Sequence, residues 1–302
     1  MKPPLLLISD GLIKHQDGLT LHPDLFLWQR LLQKRKAQWF SCAAYNPLAV
    51  YARLLQQREA ALLSEKLNIR SGQCWVASPY HARMGRDAIR VMPEGQMSWS
   101  QEDASWLCSL FNPLLAEEGM QLHAIHAALL LHCATPLQVS PVGFADIAGC
   151  QLPNRHPDGK DGGQFMRLMS EIQMVLNQQP AAHRRQRADL DIHGLWFWGA
   201  SEAEDQPEKE GKHFAIATRN PYLQSIVNGQ NARMIITEAA RASELLRQDD
   251  SLPKHVCLMG EGHALWLEKR WFSLFAQHKT VWTPQNLASE ESYFQRLRAC
   301  CD

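Results

Sequence analysis

Between Gly162 and Gly199 the chain writes two elements in succession, GGQFMRLMSEIQMVLNQQP and, after the basic stretch HRRQR, the run HGLWFWG. Phe165, Leu168, Met169, Ile172, Val175 and Leu176 recur at the three- and four-residue spacing that lines one side of a helix, while Arg167, Ser170, Glu171, Gln173 and Asn177 point away. A half-buried helix follows. Asp161 before it is expected to cap the first turn with a side-chain oxygen, and Pro180 ends it because proline cannot continue the backbone ladder. Leu195, Trp196, Phe197 and Trp198 are apolar on both faces of a strand and closed by Gly199, the pattern of a central strand in a mostly parallel sheet. Trp196 and Trp198 are therefore assigned to the core.

At 302 residues the chain can bury a large core and carry an inserted subdomain. Its 31 basic and 31 acidic residues give no global field that would draw it to nucleic acid or an anionic membrane. Leu5–Ile8 is too short to span a bilayer and no cleavable signal follows it, so a cytoplasmic protein is expected. None of the eight cysteines forms a C-x-x-C pair. Cys42, Cys74, Cys108, Cys133 and Cys257 have hydrophobic neighbours and read as small buried residues, whereas Cys300 and Cys301 read as an exposed tail pair.

The N-terminal third opens with a buried strand, Leu5 to Ile8, running into the turn Ser9-Asp10-Gly11, with helices expected at 23–36 and 47–66 around an extended Gln38–Cys42. From residue 73 the pattern becomes β-β-α-β-β, with strands at Cys74–Ala77, Ala88–Val91 and twice across Gln121–Cys133, and a helix from Ser100 to Glu118. The turn-rich 153–163 returns the chain to its core. Residues 201–211 carry five acids and read as a surface loop. Strands at 213–217, 233–236 and 256–259 then alternate with helices at 220–228, 238–247 and 263–277. The expected fold class is α/β: a mostly parallel sheet flanked by helices from 1–70 and 151–302, with an inserted α+β subdomain at 71–150.

SEIQMVLNQQP followed at fixed distance by HGLWFWG resembles the bacterial RpfE-type regulatory proteins, a group often labelled cofactor-independent phosphoglycerate mutase. The opening LLLISDGL, the block CWVASPYHARMGRDAIRV, the approach LPNRHPDGKDGGQFMRL and LEKRWFSLF are similar to the corresponding family segments, so the resemblance covers most of the chain. It implies a distant likeness to the alkaline phosphatase superfamily, whose α/β core carries two metals and a serine or threonine nucleophile. The chain departs from the pattern at three places. Where such relatives have histidine, asparagine and asparagine, it has Asn177, Ala182 and His193.

Candidate chemistry is sparse. Asp10 follows a buried strand, where a phosphatase-like enzyme places a metal carboxylate, and Glu261 and His263 follow the late strand ending at Met259. A turn aspartate bonded to backbone and a glutamate that starts a helix are the competing readings. Ser9, Ser78 and Ser140 lack a base at diagnostic spacing, and G-x-S-x-G does not occur. His123, His126 and His132 have no cysteine or carboxylate partners at ligand spacing. Gly159-Lys160-Asp161-Gly162-Gly163 is not a phosphate loop, since aspartate stands where serine or threonine must reach magnesium. His183, Arg184, Arg185 and Arg187 form the sharpest basic patch, with Lys34, Arg35 and Lys36 a second.

These readings lead to a non-catalytic, regulatory protein that needs no cofactor and binds a protein partner through Glu171 and Gln173 on the helix face and Arg184, Arg185 and Arg187 beside it. The alternative is a divergent metal-dependent phosphoryl-transfer enzyme using Asp10, Glu261 and His263 with a divalent metal such as manganese or zinc. A second alternative is a nucleic-acid-associated accessory protein. No membrane partner is expected.

Overall fold

The computed structural model describes residues 5–43, 46–86, 88–93, 96–202, 214–216, 218, 220–226, 234–247, 252–269 and 281–300. In chain order the elements are β1 (Leu5–Ile8), β2 (Leu12–His15), β3 (Gly18–Leu21), α1 (Gln29–Gln33), β4 (Lys36–Ser41), α2 (Pro47–Leu54), α3 (Glu59–Leu67) and β5 (Gln73–Tyr80). Next come β6 (Ala82–Met84), β7 (Ile89–Val91), α4 (Gln101–Leu115), β8 (Met120–Ile125), β9 (Ala128–Cys133), α5 (Phe144–Ile147), α6 (Gly162–Gln178) and α7 (Ala182–Gln186). The chain closes with β10 (Gly194–Glu202), β11 (Phe214–Ile216), α8 (Pro221–Ile226), β12 (Met234–Thr237), α9 (Ala239–Arg247), β13 (His255–Gly260), β14 (His263–Glu268) and α10 (Glu290–Ala299). They fall into two compact units, residues 1–55 with 209–302, and residues 56–208.

The first unit is α/β. Its sheet has the order β11-β12-β1-β13-β14-β4, parallel through β13 and antiparallel at the last two joins. All four residues of β1 are buried, as a strand covered on both faces must be. Leu6 and Ile8 join Leu12, Leu21, Leu25, Leu246, Val256 and Leu258 in one apolar cluster. Phe40 of β4 meets Tyr293 of α10 at 5.2 Å between ring centroids. Each such side chain taken from water contributes roughly 1.5–3 kcal/mol. Helix ends follow their sequences: Asn46 accepts the Ala49 amide ahead of Pro47, and α10 has Ser289 as its cap, Glu290 and Glu291 in its first turn and Arg296 and Arg298 in its last.

The second unit is α+β, built on an antiparallel sheet of order β10-β5-β9-β8 with a separate two-stranded arm, β6–β7. Every residue of β5 is buried. Phe165 of α6 lies 5.9 Å from Trp75 and 6.3 Å from Phe197. Phe165, Met169, Ile172 and Leu176 are buried and Leu168 and Val175 half-buried, the face expected from the spacing. Trp196 and Trp198 are core residues, their indole nitrogens donating to the Val142 carbonyl and the Ser78 hydroxyl at 2.9 Å each.

Several expectations change, among them the helix expected at 47–66, which is α2 and α3 with a break at 55–58, and the one expected at 23–36, where only 29–33 is α-helix. β10 is the edge strand of the antiparallel sheet, not a central parallel strand, so α6 and β10 stand in the second unit, which runs from 56 to 208 rather than from 71 to 150. The long pairing of β10 with β5 and the aromatic cluster under α6 recruit them there. Residues 263–268 form a strand in place of the first turns of a helix, and 270–280 lie outside the described residues. Asp161 stands at the N-cap of α6, yet its carboxylate accepts the Gln138 amide at 2.7 Å and not a helix amide. Most of the acidic stretch, 203–211, and Cys301 lie outside the described residues.

Candidate functional site

In the second unit a cleft of about 290 Å³ opens beside the β6–β7 arm. Tyr80, Gln173, Asn177 and His193 supply its polar groups, and Met84, Ile89 and Leu152 its apolar ones. Among the described residues no charged side chain lines it. Tyr80 ends β5 with its ring buried, and its hydroxyl accepts a 2.8 Å hydrogen bond from the Gln173 amide, leaving the phenol proton free to donate. Burial pushes the phenol well above its ordinary pKa, so it stays neutral. Gly194 makes room for it: a Cβ there would lie 2.3 Å from the Tyr80 oxygen.

His193 is held from two sides. Its amide donates to the Tyr80 carbonyl at 2.9 Å, and its Nδ1 accepts the Ala82 amide at 3.1 Å. The His81 ring packs 4.4 Å away, anchored by Nδ1 to the Asp191 carbonyl at 2.8 Å. Burial, then the neighbouring His81, lower the His193 pKa, and an Nδ1 that accepts an amide cannot also carry a proton. The imidazole is neutral with its proton on Nε2. The cleft thus combines a neutral phenol, a neutral imidazole and two carboxamides with an exposed apolar rim, Met84 being 87% exposed.

Of the residues singled out in the sequence, Gln173 lies in this cleft, as do Asn177 and His193, two of the three departures from the family pattern. Glu171, two residues before Gln173 on α6, is exposed and faces Arg167 at 3.7 Å. The basic patch is not a free positive surface. Arg184 is buried, donating to Asp103 at 2.9 Å, to the Leu190 carbonyl at 2.7 Å and to the Ser98 carbonyl at 2.9 Å. His183 meets the same carboxylate at 2.7 Å, Arg185 pairs with Asp191 at 3.3 Å and Arg187 with Asp189 at 2.9 Å. Asp103 and Ser100 close a capping box that starts α4, so Arg184 fastens α7 to that helix end. Burial opposes charge on Asp103, but His183, the Ser100 amide and Arg184 outweigh it and hold the carboxyl below the ordinary range. Arg35 of the second patch is buried too, bonded to the Pro253 and Lys254 carbonyls at 2.7 and 3.0 Å.

In the first unit, Asp10 is exposed at the carboxyl end of β1, and its Oδ1 accepts the Ala239 amide at 2.6 Å, capping the start of α9. Glu261 and Gly262 join β13 to β14 with φ of +52° and +74°, a two-residue hairpin turn rather than a helix start. His263 Nδ1 bonds the Glu261 carbonyl at 2.6 Å. Among the described residues no three His, Cys, Asp or Glu side chains group as metal ligands. His132 bonds the Ser71 carbonyl at 2.9 Å, and His123 lies 6.2 Å from it between ring centroids. Cys150 is exposed, Cys108 and Cys300 are half-buried, and burial pushes the Cys42 and Cys133 thiols to about 12.

The sequence did not single out Tyr80, Met84, Ile89 or Leu152. The one signal was the compact PYHARM stretch, where an apolar strand gives way abruptly to polar residues.

No protein family matches the chain, and no curated protein matches it. Among solved structures, the cofactor-independent phosphoglycerate mutase from Thermoplasma acidophilum DSM 1728 is similar over the whole of both chains, at 12% identity and a TM-score of 0.38. None of the described helices is long and apolar enough to cross a membrane.

Proposed function

We propose that this protein works by binding an extended segment of another protein, with an uncharged face turned to the cleft beside the β6–β7 arm, and not by turning over a substrate. The observation that carries the reading is the lining: carboxamides of Gln173 and Asn177, suited to a peptide backbone, facing an apolar shelf of Met84, Ile89 and Leu152. Met84 and Ile89 stand exposed on the arm, 87% and 39%. An apolar partner side chain covering either gains part of the roughly 1.5–3 kcal/mol that full burial of such a group provides. A phosphorylated metabolite finds no counter-charge among the described lining residues.

The test is selection from a displayed random-peptide library on the whole protein, with Gln173→Ala and Met84→Asp as counter-targets. Enriched peptides with an apolar anchor that bind neither variant are the expected result. A library that yields nothing above background, or only peptides indifferent to both substitutions, would overturn the proposal.

A further inference from the structure

The arm that walls the cleft has one free edge. The Gly85 amide donates to the Ala88 carbonyl and the Met92 amide to the His81 carbonyl, both at 2.9 Å. In an antiparallel pair, bonding alternates along the strand, so residues 81, 83 and 85 turn their main-chain groups to β7, and Ala82 and Met84 turn theirs outward. His193 Nδ1 takes the outward Ala82 amide at 3.1 Å. The Ala82 carbonyl and both main-chain groups of Met84 have no partner among the described residues. The far edge of β7 is already engaged, the Val91 amide with the Cys150 carbonyl and the Leu152 amide with the Ile89 carbonyl.

The two faces of the arm differ in chemistry. Ala82, Met84 and Ile89 face the cleft, and Arg83 and Arg90 stand directly opposite one another on the other face. Both arginines are exposed, and neither has a carboxylate within reach among the described residues. Two like charges opposed across a strand pair repel, and an anion between them relieves that repulsion.

We propose that the free edge of β6 receives a strand from the partner protein, in which apolar residues alternate with aspartate or glutamate. Side chains of an added strand fall on the same two faces as those of the strand it joins. Its apolar residues lie beside Met84, its acids lie beside Arg83 and face the Arg83–Arg90 pair, and its main chain bonds the Ala82 carbonyl and Met84. Its other edge faces the carboxamides of α6. This rests on the cleft being the binding site and adds the chemistry and geometry of the occupant. The rival explanation is that edge arginines discourage strand pairing.

The experiment measures fluorescence anisotropy of labelled eight-residue peptides with the whole protein. One has alternating isoleucine and glutamate, one isoleucine and lysine, one isoleucine and glutamine, and a fourth is the acidic peptide methylated at alternate backbone nitrogens. The acidic peptide is expected to bind tightest, to weaken about tenfold against the R83E/R90E double variant and to lose affinity with salt, in line with two exposed ion pairs. Backbone methylation on the bonding edge is expected to abolish binding. Gln173→Ala separates the two levels of the claim. Binding that Gln173→Ala weakens but that is blind to peptide charge, to R83E/R90E and to methylation overturns the acidic strand and leaves the cleft standing. Failure of every peptide, with failure of the library selection, removes both.

Discussion

Gly194 is the residue on which the cleft floor turns. A methyl group there meets the Tyr80 oxygen at 2.3 Å and ring carbons at 2.4 and 2.7 Å, in a buried place where the ring cannot swing aside freely. Gly194→Ala is expected to destabilise the protein by about 1–3 kcal/mol, the usual cost of overpacking. Tyr80→Phe should not rescue it, because two of the three close atoms are carbons, whereas Tyr80→Ala should absorb the added methyl; chemical denaturation of the single and double variants reads the coupling. Asp103 gives a second residue-scale test. Asp103→Ala strands the buried Arg184 guanidinium and is expected to cost about 3–5 kcal/mol. The pH dependence follows from a folded-state pKa below the unfolded value. The stability that ionised Asp103 contributes is full above its unfolded pKa of about 3.9 and is lost as pH falls through the lower folded value. The gap between wild type and Asp103→Asn should therefore not close between neutral pH and the unfolded pKa, and should narrow only below it. A gap that closes between pH 7 and 5 would contradict this.

Elements were legible in the sequence where one physical signal governed them, and misread where two different environments write the same pattern. The buried face of α6 could be read from spacing alone, because a helix with one wet side has only one way to arrange its apolar residues. β10 was readable as a strand but not as a member of its sheet, since a strand buried on both faces looks the same in a parallel sheet and at the covered edge of an antiparallel one. Arg184 looked like a surface charge because its partner, Asp103, is remote in sequence. Gln173 was placed on the polar face of α6, yet the tyrosine and the arm that make this face a cleft come from residues 80–91, and no local pattern announces that meeting. The β13–β14 hairpin was missed because its turn uses Glu-Gly, while the customary signal for two left-handed residues is Asn-Gly. Glu261 holds φ +52° at a cost that asparagine pays less of, so Glu261→Asn is expected to raise stability by about 0.5–1 kcal/mol. A thermal melt shifted downward would count against the turn assignment.

At the scale of the whole molecule, each unit has its own core and each core holds its own buried thiols. Cys42 and Cys257 belong to the first unit, Cys74 and Cys133 to the second. All four have thiol pKa values raised by burial, so at neutral pH they react with a thiol reagent only when their unit opens. Cys150 is exposed and should label at once in the native protein. A chain folded as two compact units need not unfold in one transition. Pulse labelling across a denaturant series, read by peptide mass mapping, is expected to release the thiols in two sets divided as the units are. Asp103→Ala should move only the Cys74 and Cys133 set to lower denaturant, because the Asp103–Arg184 pair lies inside the second unit. Coincident release of all four thiols, shifted together by that substitution, would mean that the two cores unfold as one cooperative structure.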